Sequence, residues 1–527
     1  MLNPPSVTKV ELTKVELTQV NVSPSKDRSG HPTARDDVSY LEKQTRTRRL
    51  FSSAQIFCFS LVYFGTWSGM GGNMYYALLN GGPAAYLFNL IIALIGALAQ
   101  AISLGELASI LPLAGAQYYW TFHFAPPGSK RFLSWMSGWA TWLGYACGLT
   151  GVLNGCAILL EASIQFNYPE YENGGWRTTL IVMGLLLFLT VINIWFFRIV
   201  PWVELVAGIV NVCFFFITLI TLWIMSPRNS PSFILTTTKF SGWESDFVSW
   251  NVGMLTQVWM FIGFEASIHM GEETKNAKRA APLAMIYSLA TNGVLGIIMT
   301  VTYIICMPPL EDVVNASYPY LHLLETSTNS KSVATVLAVG LCIVSLACTM
   351  STFSSGTRMT WAWARDGGLP AFFGHVSGKR RVPVRAVVLT CSWVILLAML
   401  NLNADTFVAL GAITSLCSLA LYFSYTIILG VLIHLRFTTG LPKSEFTVGR
   451  LGLPLNIFAM VYTCYTMVWL PFPTAVPVTA QSMNYCIVVF GAVMIGVVTA
   501  WFTWAKDHWA GPNQAIVEYV LRNDGKE

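Results

Sequence analysis

Apolar stretches of about twenty residues recur about twelve times along this chain, and that is the length a helix needs to cross the hydrocarbon core of a bilayer. They lie near 54–80, 84–111, 132–163, 178–197, 202–225, 250–271, 283–307, 332–357, 384–400, 405–435, 453–472 and 484–504. In lipid a spanning segment must satisfy its own backbone hydrogen bonds, so each stretch is expected to be helical. The fold class follows: an all-α polytopic membrane protein with about twelve transmembrane helices. Composition agrees, with 54% hydrophobic and 11% charged residues and a mean hydropathy of +0.56, against about a quarter charged in soluble domains. The eleven cysteines are scattered singly and form no CxxC pair, so they read as small apolar packing residues.

Charge distribution orients the spans. With the amino terminus inside, the outward segments hold only Arg177, Arg228, Lys239 and Lys331 of the 31 basic residues. Clusters such as Arg48-Arg49, Lys130-Arg131, Lys278-Arg279 and Lys379-Arg380-Arg381 then fall on the cytosolic side. Both termini are expected in the cytosol. Residues 1–50 are polar, carry a short TKVEL repeat at Thr8–Leu12 and Thr13–Leu17, and read as a disordered tail. Residues 51–505 form the transmembrane domain and 506–527 a cytosolic carboxyl-terminal tail. The sequon Asn315-Ala316-Ser317 falls in an outward loop and is a candidate glycosylation site.

Two spans interrupt themselves. The first contains FGTWSGMGGNM, Phe64 to Met74, with four glycines in eight residues. Each glycine costs a helix about 1 kcal/mol relative to alanine, which favours local unwinding. A small-residue packing face is the alternative. The sixth breaks at Ile262-Gly263-Phe264 and then places Glu265, with no lysine or arginine on that stretch before Lys275. A broken helix survives at membrane depth only where protein or a wet cavity satisfies its backbone. A carboxylate there is paired with a cation or carries a proton, and is a functional-site hypothesis by default. Spans one and six open two successive five-span blocks, about 54–225 and 250–436, the pattern of an inverted repeat with its site at the interface. Spans eleven and twelve, about 453–504, trail behind.

The two breaks are complementary to a zwitterion. Backbone N–H groups that open the half-helix after a break can meet a carboxylate, and carbonyls that end the half-helix before it an ammonium group. Trp67, Trp259, Phe261 and Phe264 could add cation–π attraction of about 0.5–2 kcal/mol. Glu106 and Glu204 read either as proton-relay groups or as partners of a loop base, and His269 either as a polar packing residue or as a proton acceptor. Ser351, Thr352, Ser354 and Ser355 could offer hydroxyls to sodium, although back-bonding to helix carbonyls is the commoner use. No GxxxxGK[ST] loop, HExxH or nucleophile-elbow motif occurs, so ATP-driven transport and membrane enzymology have no support.

Several stretches carry a family likeness: NGGP (Asn80–Pro83), SLGELAS and AGAQYYW, FIGFEASIHMGEETKNAKRAAP, RMTWAWARDGGLP (Arg358–Pro370), GRLGLPLN (Gly449–Asn456) and PTAVPVTAQSMNY (Pro473–Tyr485). In these the chain resembles the amino acid–polyamine–organocation superfamily, most closely its fungal amino acid/choline permeases. The resemblance implies a LeuT-like 5+5 inverted repeat with broken helices 1 and 6 and a substrate held between them, the backbone of Gly65, Thr66, Trp67, Ser68, Gly69, Gly71 and Gly72 facing its carboxylate and that of Phe261, Ile262, Gly263, Phe264 and Glu265 its amine. It implies secondary transport of an amino acid or related amine such as γ-aminobutyrate. The alternatives are a choline or polyamine carrier, or a nutrient-sensing receptor with little flux. No cofactor, metal or nucleic-acid partner is expected; coupling to H+ and residence in the plasma membrane are. Two departures stand out. Ala116 replaces a glycine of the usual AGGQY, and the fifth span lacks the lysine that some proton-coupled relatives use.

Overall fold

The computed structural model describes residues 49–378, 380–402, 406–479, 482–514 and 516–517. The TKVEL repeat, nearly all of the expected amino-terminal tail and residues 518–527 lie outside these. Among the described residues there is no β-strand, only an isolated parallel bridge between Phe51 and Thr274.

The chain runs through α1 (Ser53–Phe64), α2 (Thr66–Gly72), α3 (Met74–Ile110), α4 (Gln117–Phe124), α5 (Lys130–Asn167), α6 (Trp176–Trp195), α7 (Val200–Met225), α8 (Asp246–Gly253), α9 (Leu255–Trp259) and α10 (Ala266–His269). It continues through α11 (Ala277–Ile305), α12 (Leu310–Asn315), α13 (Pro319–Thr328), α14 (Lys331–Arg365), α15 (Val384–Ala398), α16 (Thr406–Phe437), α17 (Gly452–Trp469) and α18 (Cys486–Ala500). Ten helices among the described residues are long and apolar enough to cross a membrane. The expected spans 54–80 and 250–271 are not separate members of that set. Each is cut into pieces, the first at Gly65 and Asn73 and the second between Met260 and Glu265.

Local chemistry sets these boundaries. Ser52 caps α1 in a capping box, its backbone N donating to Gln55 Oε1 at 3.0 Å, which satisfies donors a helix start leaves unpaired. Gly65 ends α1 in the left-handed conformation, φ +49°, which a residue without Cβ adopts freely. Within α3, Gly82 (φ +65°, ψ −158°) followed by Pro83 makes the sharp turn between the first two expected spans. Asn80 Nδ2 ties that turn to Tyr76 O and Thr474 O, both at 3.0 Å.

Burial separates an inner group of helices from an outer one. In its most apolar window α5 is 78% buried, whereas the equivalent windows of α7 and α18 are only 28% buried. The outer helices present Leu187, Trp202, Ile209, Ile224, Val468, Ile495 and Phe502 outward. Exposed apolar side chains on this scale are what a lipid-facing surface requires. The two broken stretches lie inside, against α5, α11, α14 and α16.

Candidate functional site

At the first break, the chain leaves α1 at Gly65 and re-enters a helix at Thr66. The break frees the carbonyl of Leu61 and the N–H of Thr66, and one side chain of α11 satisfies both: Asn292 Nδ2 donates to Leu61 O at 3.0 Å and Asn292 Oδ1 accepts from Thr66 N at 3.3 Å. Gly65 O accepts from Ser68 Oγ (2.7 Å) and from Gly69 N (2.8 Å). The interruption at Gly65 is thus a single left-handed residue, and with a second cut at Asn73 it leaves a short helix where four glycines led to the expectation of an unwound stretch. Thr66 Oγ1 donates to Met260 O at 3.2 Å and joins the two breaks.

The second break is longer. After α9 the chain turns through Met260–Glu265, with Gly263 at φ +70°. Tyr425 of α16 serves it as Asn292 serves the first. Its hydroxyl accepts from Gly263 N (3.3 Å) and donates to Glu265 Oε2 (2.6 Å), while its ring lies 5.0 Å from that of Phe264. Glu265 Oε1 accepts from Gln117 Nε2 (2.8 Å) and from the Tyr145 hydroxyl (3.1 Å). The fully buried carboxylate is therefore held by three neutral donors, and no cation pairs with it among the described residues.

Between the breaks lies a cavity of about 150 Å³, the size at which a protein cavity admits a molecule such as benzene. Its walls are Gly65, Ser68, Gly69 and Gly72 of the first break, Trp259, Met260 and Ile262 of the second, and Gly148, Gly151 and Gly155 of α5. Tyr63, Tyr320, Cys348 and Thr352 also line it, and no Asp, Glu, Lys, Arg or His does. Glycines on two sides, the first break and α5, let the backbone itself form part of the wall. On the other side of the breaks the chain is sealed by buried ion pairs, Glu273–Arg358 (3.1 Å) and Glu272–Arg365 (3.0 Å). Leu50 N and Phe51 N both donate to Glu273 O there, at 2.8 and 3.0 Å. Asp366 accepts from Tyr118 (2.6 Å) and Tyr119 (2.9 Å); burial pushes its carboxyl up, opposed by Arg365 and these phenols.

Comparison with known proteins places this architecture. The sequence profile of a family described as amino acid permease matches residues 51–493. The chain belongs to the amino acid permease family. It is 29% identical to an uncharacterized amino-acid permease of Schizosaccharomyces pombe, over 86% of this chain and 83% of that one. It is 26% identical to the choline transporter of Saccharomyces cerevisiae (85% and 80%) and 27% identical to amino-acid permease 2 of Neurospora crassa (88% and 86%). The protein is a membrane transporter and not an enzyme.

In this permease the expected site residues divide into two sets. Gly65, Ser68, Gly69, Gly72 and Ile262 line the cavity; Thr66, Trp67, Gly71, Phe261, Gly263, Phe264 and Glu265 do not. Trp67 turns away to donate to Asn211 Oδ1 of α7 at 2.5 Å. Gly71 backs onto the rings of Tyr320 and Tyr303. Glu106 is paired with Arg436 and also accepts from Val448 N at 2.9 Å, so its partner is a base, placed in the last turn of α16 and not in a loop. His269 Nδ1 donates to Ala114 O at 2.6 Å, a packing role. The four hydroxyls of α14 all have protein partners: Ser351 with Glu204, Thr352 with Cys348 O, Ser354 with Asn193 and Ser355 with Ala266 O. Asn315 is exposed at the end of α12.

The permease's Asn292, Gln117, Tyr145 and Tyr425 escaped the sequence reading. Asn292 carried the clearest signal, a lone amide in an apolar stretch. Gln117 is reached through Ala116, whose φ is positive (39°), and α4 starts there, where Gln117 meets Glu265.

Proposed function

We propose that this permease is a secondary active transporter that carries an amino acid or a related amine such as γ-aminobutyrate by alternating access, coupled to protons. The observation that carries this reading is the small neutral cavity between two broken segments. A zwitterion brings equal and opposite charges, so walls without net charge suit it, and backbone dipoles at helix breaks can meet both ends. Gly65, Ser68, Gly69, Gly72 and Ile262 would touch the substrate. Thr66, Trp67, Gly71, Phe261, Gly263, Phe264 and Glu265 would hold the shape of the wall from behind. Twelve crossings in a 5+5 inverted repeat, cytosolic termini, a plasma-membrane location and glycosylation at Asn315 belong to the same reading.

The aromatic wall of Tyr63, Trp259 and Tyr320 favours one alternative, a quaternary amine such as choline, because ring faces attract a desolvated cation. A long polyamine fits less well, since no carboxylate lines the cavity to neutralise several charges. Uptake of a panel of radiolabelled amino acids, γ-aminobutyrate, choline and polyamines by permease-deficient yeast producing the full chain tests these readings. Saturable uptake of a zwitterion is expected. Uptake of choline alone would replace the amino acid reading, and absence of flux for every compound would favour a sensor.

A further inference from the structure

Six carboxylates are buried among the described residues: Glu106, Glu161, Glu204, Glu265, Glu273 and Asp366. Glu106 and Glu273 have an arginine each. Glu161 accepts from Tyr171, Thr178 and Gly174 N, and Glu265 from Gln117, Tyr145 and Tyr425. Asp366 accepts from Tyr118, Tyr119 and Asn513 N. Glu204 is the exception. Its Oε2 meets Ser351 Oγ at 2.8 Å and its Oε1 is buried without a partner.

Glu204 is the fifth residue of α7, at the junction of α7 with α1 and α14. The titratable groups facing it from the neighbouring helices are two thiols, Cys58 of α1 and Cys348 of α14. No lysine, arginine or histidine pairs with it among the described residues. A Cβ built at Gly208, one turn further along α7, would meet Cys58 at 3.0 Å, so the packing beside the carboxylate is close. An ionised carboxylate with a single hydrogen bond is strongly disfavoured in such surroundings, and the cure is a cation or a proton.

The surroundings suit a proton. A hard metal ion needs a shell of oxygen ligands, whereas the polar neighbours of Glu204 are one hydroxyl, Ser351, and two thiols, and no cluster of metal-ligating side chains occurs among the described residues. A proton needs only one acceptor. With Oε2 protonated, the 2.8 Å contact runs from the carboxyl to Ser351 Oγ, and the serine hydroxyl turns to Ala347 O, 3.4 Å away. The remaining Oε1 is then a neutral carbonyl oxygen, and leaving it unpaired costs far less than leaving a charge.

The geometry points to Glu204 as the proton-binding site of this permease, which takes one proton from water to form the neutral carboxylic acid and returns it when α1, α7 and α14 move apart. This rests on the proposed transport function and assigns its coupling step. Coupling to the substrate would run through the helices themselves. Cys348 and Thr352, on either side of Ser351 in α14, line the cavity, and α1 ends at the cavity wall in Gly65. Glu265, already satisfied by three donors, is left as a structural carboxylate.

The full-length protein in sealed proteoliposomes, with a transported substrate and an internal pH dye, tests the assignment. In the wild type an inward proton gradient should drive accumulation, and substrate entry should acidify the lumen. Glu204→Gln should abolish both and flatten the pH dependence of uptake, while substrate exchange at equal pH persists. Gradient-driven accumulation by Glu204→Gln with the wild-type pH profile would overturn the proposal, as would wild-type accumulation that follows sodium. Infrared difference spectra of the purified protein during a pH change report carboxyl protonation without any transport. They should show a carboxylic acid band that Glu204→Gln loses and Glu265→Gln keeps; the reverse pattern would overturn the assignment even if no flux were found for any substrate. If Glu204→Gln does not fold, Ser351→Ala should shift the midpoint of that band, and an unmoved midpoint counts against the site.

Discussion

A methyl group at Gly71 separates the packing of the first break from its contact with substrate. A Cβ there would lie 2.8 and 2.9 Å from ring carbons of Tyr320 and 3.0 Å from the hydroxyl of Tyr303. Carbon contacts are comfortable from about 3.5 Å, so one ring must retreat by roughly 0.7 Å. Both rings are buried and packed edge to face with centroids 5.8 Å apart, and Tyr320 borders the cavity. Overpacking of this kind costs about 1–3 kcal/mol. Replacing a helical glycine returns up to about 1 kcal/mol. The net loss of up to about 2 kcal/mol corresponds to roughly 30-fold in an equilibrium. Gly72→Ala is the matched control, because Gly72 lines the cavity and a Cβ there has no atom within 4 Å. Gly71→Ala should therefore lower the apparent melting temperature of the solubilised protein and raise the KM for uptake, whereas Gly72→Ala should leave melting unchanged or slightly raised. Tyr320→Ala should cost less in the Gly71→Ala background than in the wild type, because neighbours of this kind couple by about 0.5–3 kcal/mol. Equal melting temperatures and equal KM values for Gly71→Ala and Gly72→Ala would refute the packing argument.

Glu265→Gln keeps the shape but turns an amide NH₂ toward groups that now donate, and the mismatch should cost about 1–3 kcal/mol; a thermal melt as high as the wild type's would mean that the three hydrogen bonds carry little. Arg358→Met strands the buried Glu273 and should cost about 3–5 kcal/mol, while Arg358→Met with Glu273→Met should recover most of it; folded yield in detergent, compared across the two, decides. Ala116→Gly relieves a positive φ worth about 1–3 kcal/mol, so the melting temperature should rise, and a fall would mean that the side chain's packing outweighs the strain. A protease-accessible tag on the outside of intact cells at Glu527 would contradict the cytosolic carboxyl terminus, which is expected to stay protected.

Much of the architecture was legible along the chain because its causes are local. Span length and apolar composition depend on neighbours in sequence, and so do the breaks at Gly65 and Gly263, where glycine supplies a positive φ. The pairing of Glu106 with a base was one of two open readings, and only the fold brought Arg436, 330 positions away, beside it. The cavity wall was legible only in part. Which glycine of FGTWSGMGGNM meets the cavity and which backs onto a tyrosine depends on how α2 is rotated against α5, α13 and α14. That rotation is set by side chains hundreds of residues distant.

The amino-acid sequence by itself determined that the chain spans a membrane, where its helices begin and fail, and which carboxylate follows the second break, since these rest on composition and short-range conformational preference. Only the tertiary structure decided that Asn292 and Tyr425 repair the breaks, that Glu265 is surrounded by donors and that Glu204 is not. Hydrogen-bond satisfaction of a buried group is a property of everything packed around it, and no local pattern encodes the partners that long-range packing brings.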